Sequence, residues 1–381
     1  MPNPAPFCCP IPIRKPQTVA LGLLLGLCPA GAILADTPLG WISATNPSAY
    51  TIARGSLEVS ASLLAVNDTI DFLNVREDLL AGQQRLVGNS GDLQGGHFEL
   101  HYGLHDDIEL FLSHRDQSFT VDLGTINSVN LLEISDSLDT TMQRIGGRWT
   151  FWRGNLLNAD GRISAASLEL SAFRNKSNDF NVVVDEVRLP NLTVFFRDPT
   201  TFKVANLEDD GWQARLIYSW PLGIGAIGTA WGSVSDRQAT AATTSNITSP
   251  SVARVFEQTF TTDETLFSIG AGVTVDITPR LPLSLSYEFL NNGSSNFTRT
   301  PATPSTSLPG FLTGGPSTQD TNHVLTARLA YWLTPSMHVA LTGNLYSNHF
   351  LGVIPHYSNP LSGTFSDKPY GFAGLQLGFR L

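Results

Sequence analysis

From about residue 55 onward, the chain is built of short runs in which apolar and polar residues alternate. In Leu281 to Leu290 the odd positions are Leu281, Leu283, Leu285, Tyr287 and Phe289, whereas Ser284, Ser286 and Glu288 stand between them. Side chains on a strand alternate faces, so such a run is a strand with one oily and one wet side. The pattern recurs. Leu57, Val59, Ala61 and Leu63 oppose Glu58, Ser60 and Ser62, and Phe98, Leu100, Tyr102 and Leu104 oppose His97, Glu99 and His101. Phe267 to Ile277 and Leu325 to Tyr331 alternate in the same way, while helical periodicity is weak throughout.

The connections between these strands also alternate. Short turns are expected at 104–107, 153–161, 220–223, 278–281 and 334–337, each carrying Pro, Gly, Asn or Asp. Long polar segments separate the resulting hairpins, at roughly 67–93, 116–140, 175–210, 235–263, 291–321 and 347–369. Five turns and six loops join twelve strands, and all the short connections fall at one end. That asymmetry and the even count define an all-β fold, a transmembrane antiparallel up-and-down barrel over 55–381, with short periplasmic turns and long extracellular loops. Asn181 to Phe196 adds either an extra hairpin or strand extensions beyond the membrane, which gives a range of ten to fourteen strands.

Composition alone would class the protein as soluble. Its mean hydropathy is +0.01 and 42% of its residues are hydrophobic. A membrane barrel reads the same way, because lipid-facing and water-facing residues alternate. The N-terminus supplies the compartment. Arg14 and Lys15 precede the apolar run Thr18 to Ala35, which ends in small residues, so residues 1–35 are expected to be a cleaved secretory signal peptide. Residues 36–54 would then be a short periplasmic segment or fold into the barrel mouth. Cys8, Cys9 and Cys28 all lie in the signal, leaving no disulfide framework. The chain has 23 Lys+Arg against 33 Asp+Glu, and losing Arg14 and Lys15 leaves 21 against 33, or −12. Such a chain lacks the basic footprint of a nucleic-acid binder.

Aromatic residues fall near expected strand ends. Trp149, Phe151, Tyr218, Trp220 and Tyr331 lie towards the turns, and Tyr287 and Phe289 towards the loops, as an interfacial girdle would require. The stretch Gly374 to Leu381 places Leu375, Leu377, Phe379 and Leu381 on one face. It resembles the C-terminal strand by which outer-membrane proteins engage the barrel-assembly machinery, although here Phe379 precedes a terminal Leu381. That resemblance implies the outer membrane of a Gram-negative bacterium.

The polar faces carry the candidate chemistry. Glu58, Glu99, Glu109, Glu169, Asp276 and Glu288 are expected to line the lumen, opposed by Arg144, Arg148, Arg215, Arg328 and Arg380. Such a balanced interior would either select small hydrophilic solutes or rigidify a filled barrel. His97 and His101 share a strand face, but residues four apart on a strand are separated by about 13 Å, too far for one metal ion. The acidic Leu207 to Gly211 is expected to be a solvated loop, and no cofactor motif is present. His356 to Asn359, "HYSN", resembles the H-x-S-N motif of outer-membrane lipid A deacylases and the outer-membrane phospholipase. The resemblance implies His356 as base to Ser358, with Asp367 the nearest acid, since Tyr370 stands where the acidic partner is expected. Three functions follow: a channel for small hydrophilic solutes, the reading favoured here; a lipid hydrolase using His356 and Ser358; and a closed structural or surface-interaction barrel.

Overall fold

The computed structural model describes residues 47–66, 93–119, 129–134, 138–154, 163–189, 192–248, 257–300, 321–346 and 370–381. Among these residues there are strands and no helices. The strands are β1 (Leu57–Val66), β2 (Leu93–His105), β3 (Ile108–Phe119), β4 (Val129–Ile134), β5 (Leu138–Arg153), β6 (Ala165–Ser177) and β7 (Phe180–Leu189). They continue with β8 (Leu192–Gly223), β9 (Ala226–Ser245), β10 (Gln258–Thr278), β11 (Leu281–Thr300), β12 (Thr321–Thr334), β13 (Met337–Tyr346) and β14 (Tyr370–Arg380).

Each ring strand pairs antiparallel with the ring strands before and after it along the chain, and the pairing of the first with the last closes the circle. Leu57 to Ala65 of β1 lie against the C-terminal strand, as in Val59 opposite Phe379. β8 pairs β9 from Phe202 opposite Ser245 down to Gly223 opposite Ala226. Twelve strands form the ring, and closure leaves no exposed sheet edge in it. β4 and β7 lie outside the ring, because β4 pairs β7 and β7 pairs the distal half of β8. The 181–196 segment is therefore an extra hairpin and a strand extension at once.

One end is capped by the two-residue turns Asp106–Asp107, Ile224–Gly225, Pro279–Arg280 and Pro335–Ser336. The third turn is centred three residues later than the sequence suggests. Trp220 and Pro221 still pair with β9, and Gly225, with φ of +68°, makes the reversal. At the other end, much of what reads as loop is strand. β8 to β11 run unbroken through most of 192–300, so this side of the wall stands higher than β13, β14 and β1. The Thr-, Ser- and Asp-rich stretches there are polar on both faces, so they pair without leaving an alternation to read.

Face assignment follows the sequence. Along β11, Leu285 is 47% exposed and Ser284 is 2% exposed. Leu110 and Leu112, Leu216, Ile269, Leu329 and Leu341 are likewise exposed on the outside. Trp149, Phe151 and Tyr218 border this apolar belt on the turn side, with Trp212 and Tyr287 on the loop side. Past its loop-side edge the outward positions turn polar, as at Asp116, Asp210 and Asp263.

The interior

The inward side chains form two polar networks. The first is centred on Glu169 of β6. Arg148 Nη2 donates to its Oε2 at 2.8 Å, Arg144 Nη2 to its Oε1 at 2.7 Å, and Arg215 Nη1 approaches the same Oε1 at 3.4 Å. Strand register brings them together, because Arg148 faces Glu169 across β5–β6 and Arg215 faces it across β6–β8. Arg144 also donates to Ser171 Oγ and Gln213 Oε1, and lies over the Phe111 ring at 5.3 Å. Arg148 reaches back to Glu109 Oε1 at 3.5 Å, where His101 Nδ1 also bonds at 2.9 Å.

The second network runs along the β12–β13–β14–β1–β2 wall. Arg328 Nη2 donates to Gln376 Oε1 at 3.0 Å and lies 2.8 Å from His338 Nε2. Gln376 Nε2 donates to Ser60 Oγ, and Ser60 to Glu99 Oε2 at 3.3 Å, with His97 beyond. Small residues let the rings in this interior lie flat: Trp231 lies against Gly270 and His338 against Gly378, leaving no room for a Cβ at either. Hydrogen bonds thus offset much of the cost of burying these groups, as a charged interior requires, although Glu58 Oε2 and Arg215 Nε are buried with no hydrogen-bond partner among the described residues.

Residues 47–52 are part of this interior and not free of the barrel. Ala49 N–H donates to Ser219 Oγ at 3.0 Å, and Thr150 Oγ1 donates to Ala49 O at 2.8 Å. The Tyr50 hydroxyl donates to Ile163 O at 2.7 Å, and Ile52 N–H donates to Glu109 Oε2 at 3.0 Å. Ala49 packs with Ala165, Ile217 and Trp231, and Tyr50 packs against them and Ile227. The segment crosses the inside of the turn-side mouth.

Of the expected lumen residues, Glu58, Glu99, Glu109, Arg148, Glu169 and Arg328 are buried inside, and Arg144, Arg215 and Glu288 are part-buried there. Trp231 Nε1 donates to Glu288 Oε1 at 3.2 Å. Glu58 stands opposite His101 on one side and Arg380 on the other. Asp276 lies apart, beside the Gly225 turn. His97 and His101 diverge, His97 to Glu99 and Ser113 and His101 to Glu109. The acidic run 207–211 is strand rather than the expected loop. Asp209 turns inward to Asn175 and lies 3.7 Å from Arg237, which bonds Glu264. Burial drives the Asp209 carboxyl up to about 7 against the pull of Arg237 and Asn175. This trio sits beyond the apolar belt, at the level of the outward Asp210 and Asp263. Sequence reasoning missed it, along with Gln213 and Gln376, whereas residues 47–52 take the second of the two places expected for 36–54, the barrel mouth. His356, Ser358 and Asp367 lie outside the described residues.

A closed antiparallel ring with an apolar belt outside and a charged interior is a membrane-spanning β-barrel, and its belt contacts lipid. No protein-family model and no curated protein sequence matches the chain. Solved structures resemble it in fold. The translocator domain of the autotransporter NalP from Neisseria meningitidis gives a TM-score of 0.48 at 9% identity, covering 87% of this chain and 90% of that one. An outer membrane channel from Pseudomonas putida F1 gives 0.42 at 11%, covering 89% and 100%. LpxR from Salmonella typhimurium gives 0.35 at 10%, covering 85% and 99%. At such identities the likeness is one of barrel fold alone.

Proposed function

We propose that this protein is an outer-membrane channel for small hydrophilic solutes, closed at its turn-side mouth by residues 47–52 in this state. The observation that carries the reading is a contrast between two zones of the membrane-level interior. In the turn-side half, Glu109, Arg148, Ser167, Ile217 and Ser219 are buried against the N-terminal segment. Nearer the loop end, Arg144, Gln213, Arg215, Ser286 and Glu288 are part-exposed inside the barrel. An interior that is polar, charged and partly open to water at one end suits a hydrophilic solute. The segment that fills the other end is held by a handful of hydrogen bonds and one small apolar cluster, so it can be displaced without opening the sheet.

In this reading the interior acids and arginines line the conduit, the turns face the periplasm and residues 1–35 are the export signal. The test is conductance in planar bilayers. The folded protein is expected to show discrete openings, more frequent in Tyr50→Ser, which loses the anchoring hydroxyphenyl group. Silence of both proteins would contradict a channel.

A further inference from the structure

We infer that the accessible part of the interior holds a binding station for a small organic carboxylate, formed by Arg144 and Arg215. This deepens the channel reading and rests on it for the solute's route. Glu169 gathers three guanidinium groups, and Arg148 alone among them is shared with a second carboxylate, Glu109. The charges are also sorted by depth. The side chains of Glu109 and Glu169 are 1% and 4% exposed, against 30% for Arg144 and 14% for Arg215. A solute entering from the loop end therefore meets the guanidinium groups, while the carboxylates that hold them lie beneath.

The two arginines keep donors in reserve. Arg144 uses Nε for Ser171 and Nη2 for Glu169 and Gln213, which leaves Nη1. Arg215 uses Nη1 for Glu169, which leaves Nη2, while its Nε is buried beneath with no hydrogen-bond partner among the described residues. A guanidinium group has five N–H donors in a planar fork matched to a carboxylate. Both groups are oriented beforehand by Glu169, and Arg144 also by the Phe111 ring, so little side-chain freedom is lost on binding. Glu288, a part-exposed acid of the same interior, is engaged by the Trp231 indole. Serines surround the station: Gln213 donates to Ser233, which bonds Ser268. A hydroxylated carboxylate would find partners for both its charge and its hydroxyls.

The test is calorimetric titration of the folded full chain in detergent with gluconate, its neutral counterpart sorbitol, and choline. Gluconate is expected to bind, more weakly as salt rises, with sorbitol and choline at least tenfold weaker. Arg144→Gln and Arg215→Gln are each expected to weaken gluconate by about tenfold or more. Glu169 keeps Arg148 in both variants, and Arg144→Lys keeps the charge if the glutamine variant does not fold. Equal binding of gluconate and sorbitol by the wild type, or unchanged gluconate affinity in the folded variants, would overturn the station. Gluconate binding by a protein that never conducts would leave the station standing and remove the channel. Conductance without gluconate preference would do the reverse.

Discussion

The backbone N–H of Ile52 donates to Oε2 of Glu109 at 3.0 Å, while the other oxygen of that carboxylate accepts from His101 and faces Arg148. One buried side chain thus ties the N-terminal segment to the charged interior. Glu109→Ala should release both. It leaves Arg148 with Glu169 as its one ion-pair partner among the described residues and should cost about 3–5 kcal/mol, the usual result of removing one partner of a buried pair. The temperature at which the folded barrel converts to its unfolded form on a gel should fall. Glu109→Gln, which keeps an acceptor for Ile52, should fall less.

Leu285 and Ser286 test the faces of the wall. Leu285→Arg places a charge in the belt that contacts lipid and should cost about 2–4 kcal/mol. Ser286→Arg points into the interior and should cost much less. A brominated lipid should quench a tryptophan placed at 285 and not one at 286; equal quenching would contradict the assignment.

Asp209 gives a pH dependence. Its carboxyl has an ordinary value of 3.8 and is raised to about 7 in the fold, chiefly by burial. A group raised on folding stabilises below its unfolded value, and that contribution is lost as pH rises through the folded one. Stability should therefore decline between about pH 4 and pH 7 on this account. Asp209→Asn cannot ionise and keeps a side chain that can bond Asn175, so its advantage over the wild type should grow from pH 5 to pH 8. Urea midpoints at several pH values would show it; parallel curves would contradict it.

Orientation is tested with single cysteines, since the native ones all lie within residues 1–28. Ser245→Cys, at the loop end of β9, should react with an impermeant maleimide on intact cells. Ser336→Cys, in a turn, should react after the outer membrane is opened. The opposite result would invert the proposed topology.

The sequence made the ring legible because lipid and water impose a period of two on each strand. Leu285 and Ser286 betray their faces without any partner. The alternation fails above the bilayer, where β8 to β11 are polar on both sides. That is why Asp209, Arg237 and Glu264 read as loop or as nothing. The charged residues of the interior were visible one by one, but their grouping was not. Glu169 meets three arginines only through the registers of β5, β6 and β8, which no local pattern encodes. Residues 36–54 had two readings, periplasmic or folded into the mouth, and nothing at Tyr50 or Ile52 decides between them, since a segment that fits inside a barrel needs only a few apolar residues and free backbone donors.

The claim that matters most is that solute passes through the barrel and that residues 47–52 close it. Ala49 and Ser219 are in contact, and neither lies among the residues proposed to bind solute. A double variant, Ala49→Cys with Ser219→Cys in a background from which Cys8, Cys9 and Cys28 are absent, would pin the segment by a disulfide. Single-channel recording should find the oxidised protein silent and should restore openings when a reductant is added. Openings that persist unchanged in the cross-linked protein would contradict the account.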